Sequence, residues 1–138
     1  MTDKMSVPFS PPDITEAEIE AVAGVLRSGW ITTGPRTKEL EKKMAEFTHA
    51  SGGVCLNSAT ACMEMALRLF GIGPGDEVIV PAYTYTASAS VVCHVGAKLR
   101  LVDVRKGTFH LDYDALESMI NEHTKAIIPV DIGGVMVD

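Results

Sequence analysis

The chain has 138 residues, of which 46% are apolar and 22% charged, a composition typical of one soluble globular domain. The formal net charge of −6 argues against a nucleic-acid or anionic-membrane partner, because no excess of Lys and Arg is present to neutralise phosphates. No apolar run approaches a membrane span and the N-terminus lacks a signal-peptide pattern, so we expect a cytoplasmic protein.

The N-terminal part of the chain predicts two helices joined by a loop. A capping box from Thr15 to Glu18, followed by apolar residues three and four positions apart, predicts a helix over 15–27. A Gly/Pro/Thr loop then carries Trp30, the single tryptophan, and a second amphipathic helix is predicted over 36–49. We therefore expect a helical segment over residues 1–50 and an α/β region over 51–138.

The α/β region alternates predicted strands with predicted helices. Short apolar runs predict strands at 54–56, 78–80, 98–104 and 124–130, and the intervening segments predict helices beginning near residues 58, 87 and 112. This order favours a mostly parallel sheet joined by crossover helices. The pattern also predicts another helix after the last strand, so we expect an incomplete domain with an unpaired sheet edge that self-associates.

Residues 57–61 form the junction between the first predicted strand and its helix. Asn57 and Ser58 are good N-caps, and the first turn of a helix offers unpaired N–H groups to an anion. Small side chains at Ala59 and Ala61 would let the anion approach the backbone, and Thr60 adds a hydroxyl. The junction predicts a phosphate cradle, although an ordinary capped helix also fits these residues.

Two tyrosines, Tyr83 and Tyr85, follow the next predicted strand. If the first two strands share one sheet, the cradle and the tyrosines face the same crevice, which suits a flat phosphorylated cofactor. The alternative is that either tyrosine packs on the sheet with its hydroxyl in water.

Other residue types carry weaker signals. The four histidines have spacings that fit no metal motif, so no metal site is expected. The three cysteines lack a C-x-x-C spacing and are interpreted as reduced packing residues. Three aspartates lie at or beyond the ends of predicted strands, where they can be functional or can cap loops: Asp103, Asp131 and Asp138.

Four segments, in this order and spacing, resemble those of a known enzyme family: 28–35, 57–61, 73–81 and 124–130. The family comprises the pyridoxal-phosphate-dependent nucleotide-sugar aminotransferases of the DegT/DnrJ/EryC1/StrS group, which have the fold type I large domain of aspartate aminotransferase. The resemblance covers essentially the whole chain. It implies an α/β fold with a mostly parallel sheet, present here only as its N-terminal part.

The resemblance also implies roles for individual residues. The backbone N–H groups of Ala59, Thr60 and Ala61, with the Thr60 hydroxyl, would hold the phosphate of pyridoxal 5′-phosphate, and Tyr85 would stack on its ring. The loop that carries Trp30 and Thr33 is similar to one near the active site and the dimer interface of the family. Trp30, Thr33 and Asp131 are therefore candidates for substrate contact.

The reaction implied is transfer of an amino group from an amino acid, usually glutamate, to a keto group of a nucleotide-linked sugar. Such enzymes serve cell-surface polysaccharide or deoxysugar biosynthesis, and we expect a homodimer of the full-length protein. The Schiff-base Lys of the family is expected after Asp138, because none of the six lysines from Lys38 onward has the required context, so no catalytic residue and no turnover are expected in this chain alone. Two alternatives are a pyridoxal-phosphate-dependent sugar dehydratase and a non-catalytic interaction module.

Overall fold

The computed structural model describes Pro8 and residues 10–137, in two compact units, Met1–Cys55 and Leu56–Asp138. Asp138, one of the predicted strand-end carboxylates, lies outside the described residues. Among the residues described, no helix is both long enough and apolar enough to cross a bilayer.

The first unit contains α1 (Glu16–Ser28) and α2 (Pro35–Thr48). Thr15 caps α1 through the predicted capping box with Glu18, because each side chain binds a backbone N–H of the first turn. Gly29, in the left-handed region at φ 71°, ends the helix. Both helices are confirmed, with ends within one residue or so of the predicted bounds.

The apolar stripes of α1 and α2 are exposed within their own unit. No residue of either helix is buried. The exposed large apolar side chains are Ile19, Val22, Leu26, Leu40, Met44 and Phe47. The amphipathic pattern of the two helices therefore forms no buried core among the described residues of the first unit.

The second unit is a three-stranded parallel sheet covered by helices. Its elements in chain order are α3 (Ala59–Leu69), β1 (Glu77–Pro81), α4 (Ala87–His94), β2 (Lys98–Val102), α5 (Tyr113–Met119) and β3 (Thr124–Ile127), followed by a 3₁₀ turn at Ile132–Gly134. The strand order is β2-β1-β3, and both pairings are parallel. The α/β class with crossover helices is confirmed.

The strand predicted at 54–56 is wrong. These residues have no regular secondary structure and pair with no described strand, and Val54 is 79% exposed. The Cys55 N–H donates instead to Glu41 Oε1 at 2.9 Å. An apolar run becomes a strand only where a neighbour accepts its hydrogen bonds. The last predicted strand is also shorter, since it ends at Ile127 before Pro129, which has no N–H to donate.

The core lies on both faces of β1, because successive side chains of a strand point in opposite directions. Val78 and Val80 pack on one face against α3 and α4, and Ile79 packs on the other with the residues of α5. All three side chains have no exposed surface, and each such burial contributes roughly 1.5–3 kcal/mol. Helices on both faces are what parallel strands require.

The three cysteines are free thiols. Cys55 is partly buried, whereas Cys62 and Cys93 are exposed. The prediction of packing residues is wrong for these two, because both side chains are exposed.

Glu77 fixes the alignment of the three strands at the amino edge of the sheet. Its buried carboxylate accepts hydrogen bonds from Lys98 Nζ at 2.7 Å, Arg100 Nη1 at 2.9 Å and Asn121 Nδ2 at 2.9 Å. The hydrogen bond from Lys98, followed by that from Asn121, lowers the pKa of Glu77 to about 2. Sequence reasoning missed this group.

Candidate functional site

The N-terminal ends of α3 and α4 lie at the edge of the sheet where β1 ends. Each helix runs against the strands, since α3 leads into the first residue of β1 and α4 into that of β2. Late residues of the two helices meet: Glu64 Oε2 lies 2.9 Å from His94 Nδ1, and Arg68 Nη2 donates to the His94 carbonyl at 3.4 Å. The two helices are therefore parallel, and their first turns share one edge with the loop after β1.

The first turn of α3 leaves backbone donors without an acceptor. Ser58 is the N-cap, and its extended backbone (φ −163°, ψ 157°) places Oγ to accept the Ala61 N–H at 3.1 Å. Within the described part of the chain, the N–H groups of Ala59 and Thr60 and the Thr60 hydroxyl have no hydrogen-bond partner. Two N–H groups and one hydroxyl can thus receive an anion at the positive end of the helix.

Ala61 differs from the other two residues assigned to the cradle. Its N–H already donates to Ser58 Oγ, so a phosphate would have to share or replace that bond. The predicted roles of Ala59 and Thr60 need no such exchange.

The two tyrosines after β1 have different surroundings. The Tyr83 ring stacks on Phe109, with centroids 5.0 Å apart and an angle of 19° between the planes. The Tyr85 side chain is 82% exposed and, among described residues, has no hydrogen bond or ring contact. Tyr85 therefore offers an uncovered ring in the loop after β1, whereas Tyr83 is held by a residue that sequence reasoning did not identify.

The two described strand-end aspartates both bind backbone N–H groups. Asp131 Oδ1 accepts the N–H of Val137 at 2.8 Å, and Asp103 Oδ1 accepts that of Val104 at 2.8 Å. Each carboxylate is exposed, so its second oxygen remains open to solvent or to a ligand. The substrate role of Asp131 stays a prediction.

In the first unit, Trp30 folds onto its own loop. The indole Nε1 donates to the Thr33 carbonyl at 3.1 Å, and a Cβ built on Gly34 would lie 2.5 Å from the indole ring. Glycine at position 34 is therefore what lets the ring lie against the backbone. Trp30 is still 58% exposed, and the Thr33 hydroxyl forms no hydrogen bond within the described residues, so both side chains are accessible.

The residues at the β1 edge fit a flat, phosphorylated heteroaromatic group. Alanines flank Thr60, so no bulky side chain covers the unpaired donors, and an uncovered aromatic ring lies in the adjacent loop. A phosphate needs accessible hydrogen-bond donors, and a planar ring needs an aromatic surface on which to stack.

Comparisons with known proteins agree with this fit. The sequence profile of the DegT/DnrJ/EryC1/StrS aminotransferase family matches residues 12–138. UDP-4-amino-4-deoxy-L-arabinose–oxoglutarate aminotransferase of Shewanella sediminis is 46% identical over 132 residues, which are 96% of this chain and 34% of that protein.

Solved structures give the same result. Spr1654 of Streptococcus pneumoniae, designated a sugar aminotransferase, matches in its PLP form with a TM-score of 0.91 and 60% identity over 97% of this chain and 34% of its own. Its PMP form matches equally well. 3-Amino-5-hydroxybenzoic acid synthase matches with a TM-score of 0.83 and 33% identity over 92% of this chain and 34% of its own. The chain thus spans about a third of the length of these relatives.

Proposed function

Because the chain belongs to the DegT/DnrJ/EryC1/StrS aminotransferase family, we propose that it forms the phosphate-binding and ring-stacking part of a pyridoxal 5′-phosphate-dependent sugar aminotransferase. The observation that carries the proposal is the shared edge: the unpaired donors of the α3 first turn and the uncovered Tyr85 ring lie where β1 ends.

Each residue of the site has a defined task. Ala59 and Thr60 donate backbone N–H groups to the phosphate, and the Thr60 hydroxyl adds a third donor. The Ala61 N–H also donates to the phosphate if its hydrogen bond to Ser58 Oγ is broken. Tyr85 covers one face of the pyridine ring, which excludes water and fixes the plane of the ring.

When bound, pyridoxal 5′-phosphate supplies an electron sink for moving an amino group between two carbon skeletons. This chain's residues bind and orient the cofactor. The Schiff-base Lys that the resemblance implies is the one expected after Asp138.

We propose a nucleotide-linked keto sugar as the amino acceptor and glutamate as the donor, in a cytoplasmic homodimer. Support comes from the Shewanella sediminis relative, whose name specifies a UDP-linked amino sugar and oxoglutarate. In this assignment, Trp30 and Thr33, accessible in the first unit, and Asp131 after β3 contact the substrate. A sugar is favoured over an aromatic acceptor because both the Shewanella sediminis and the Streptococcus pneumoniae proteins are sugar aminotransferases and share more identity with this chain than the aminohydroxybenzoate synthase does.

The test is a half-reaction with the protein as it is naturally expressed. Pyridoxal phosphate is added, unbound cofactor is removed, and the visible absorbance of the bound cofactor is followed while glutamate is added without sugar. We expect loss of that absorbance with one 2-oxoglutarate released per bound cofactor, followed by recovery on addition of a nucleotide-linked keto sugar.

The alternatives give other results. A sugar dehydratase would bind the cofactor without completing this amino transfer from glutamate to sugar. A non-catalytic module would show no glutamate-dependent change at all. Either outcome would overturn the proposed transfer.

A further inference from the structure

The loop between β2 and α5 is an ordered hairpin. Val104 and Leu111 form an antiparallel bridge, and the Arg105 N–H donates to the His110 carbonyl at 2.9 Å. A tight turn, in which the Thr108 N–H donates to the Arg105 carbonyl at 3.0 Å, closes the hairpin with glycine 107 at φ 81°. The residue that directly follows this turn is therefore fixed in position.

That residue is Phe109, and the backbone next to it is held by a buried neighbour. Leu111, two positions further on, is 3% exposed and packs in the core with Ile79 and Val102. Phe109 itself is 62% exposed, so its ring is not a core residue. The hairpin thus exposes the Phe109 ring, while Leu111 holds the hairpin to the core.

The loop after β1 contacts this ring. Its Tyr83 stacks on Phe109, while the Ala82 N–H donates to the Val102 carbonyl at 2.8 Å and Thr84 Oγ1 lies 3.0 Å from Ser88 Oγ. These three contacts fix the residues on the N-terminal side of Tyr85. The Tyr85 side chain itself is held by none of them.

We propose that Phe109 is a positioning residue: it holds Tyr83, and thereby sets the orientation in which Tyr85 meets the cofactor ring. The inference rests on the proposed function, because it assigns Tyr85 to the pyridine ring. Without the stack, the 82–86 loop loses its aromatic contact with the hairpin, and Tyr85 samples orientations that do not cover the ring.

The expected effect follows from the strength of aromatic pairs, which corresponds to about a two- to tenfold change in a dissociation constant. Phe109→Leu keeps an apolar side chain but removes the ring, so it should weaken pyridoxal phosphate binding within that range. It should also reduce the visible circular dichroism of the bound cofactor, which reports how the ring is held. Phe109→Tyr keeps the stack and should restore both.

The matched control is Phe70→Leu, since Phe70 is 78% exposed in the same unit and has no ring contact among described residues. It should leave affinity and dichroism at wild-type values. Tyr83→Leu removes the other half of the stack, so it should act like Phe109→Leu, and the double variant should be no worse than either single one.

The measurements use the naturally expressed protein, with affinity from equilibrium dialysis and thermal unfolding recorded for each variant. A Phe109→Leu variant with the affinity and dichroism of Phe70→Leu would overturn the inference while leaving the cofactor assignment intact. Additive losses in the double variant would also overturn it. Failure of the wild type to bind pyridoxal phosphate would overturn the proposed function, and the inference with it.

Discussion

Asn121 and Glu77, 44 positions apart in the chain, meet at 2.9 Å and tie the turn before β3 to the first residue of β1. Lys98 and Arg100 of β2 complete the group around the Glu77 carboxylate. We predict that Glu77→Gln lowers the melting temperature at neutral pH by several degrees, because it leaves two cations on β2 without their counter-charge.

The stabilisation that Glu77 gives the fold decreases as the pH falls. The pKa of Glu77 falls from an ordinary 4.5 to about 2 in the folded chain, so the carboxylate stabilises the fold above pH 4.5 and that contribution is lost as the pH falls towards 2. The gap in melting temperature between wild type and Glu77→Gln should therefore narrow below about pH 4. Glu122→Gln, at a side chain that is 87% exposed, is the control and should track the wild type. A gap that is constant with pH would contradict the assignment.

Thr60→Val should weaken pyridoxal phosphate retention while keeping the β-branched shape of the side chain. Loss of one hydrogen bond to a charged phosphate costs about 1.5–3 kcal/mol, or roughly a tenfold to hundredfold rise in dissociation constant. Thr60→Ser keeps the hydroxyl and should stay near wild type in the same dialysis measurement. Unchanged retention in Thr60→Val would remove the hydroxyl from the cradle.

Substitutions of Ser58 should separate folding from binding. Ser58→Ala loses the cap on the Ala61 N–H and should lower the free energy of unfolding by about 1 kcal/mol. Ser58→Asp keeps a capping oxygen, so its stability should stay close to wild type, but its negative charge should repel the phosphate. Chemical unfolding and dialysis at two salt concentrations measure both effects. Undiminished affinity in Ser58→Asp would mean that the phosphate binds elsewhere.

Gly34→Ala should displace the indole of Trp30, because the added Cβ would lie 2.5 Å from the ring. Since the chain contains a single tryptophan, its emission reports the change directly, and we expect a red shift with stronger iodide quenching. Gly24→Ala is the control: nothing lies within 4 Å of its new Cβ in α1, where alanine is about 1 kcal/mol better than glycine. An unaltered spectrum in Gly34→Ala would contradict the packing of this loop.

Local patterns predicted most of the fold. The capping residues Thr15, Ser58 and Asp112 act at short range, so the helices that follow them could be placed from sequence. The strand β1 was equally clear because its three central residues are apolar on both faces. The segment at 54–56 has the same character but no neighbour to pair with, and pairing is not a local property.

The candidate site was predicted from the same kind of local signal. Cap and small residues indicated the cradle, yet nothing in the sequence distinguished Tyr83 from Tyr85, because the ring that holds Tyr83 belongs to another loop. Glu77 was missed for a similar reason. The alternation of Lys98 and Arg100 on one strand was the signal that could have indicated a buried acid next to it.

The group of charged and polar side chains around Glu77 and the loops after β1 and β2 lie at opposite ends of the same three strands. Strand register is thus fixed at one end, and the proposed cofactor site lies at the other. Under the proposed function, the segment after β3, which carries Asp131, can therefore be varied to change the acceptor while strand alignment is left untouched, and the Glu77 end can be strengthened for heat tolerance without altering the proposed cofactor site.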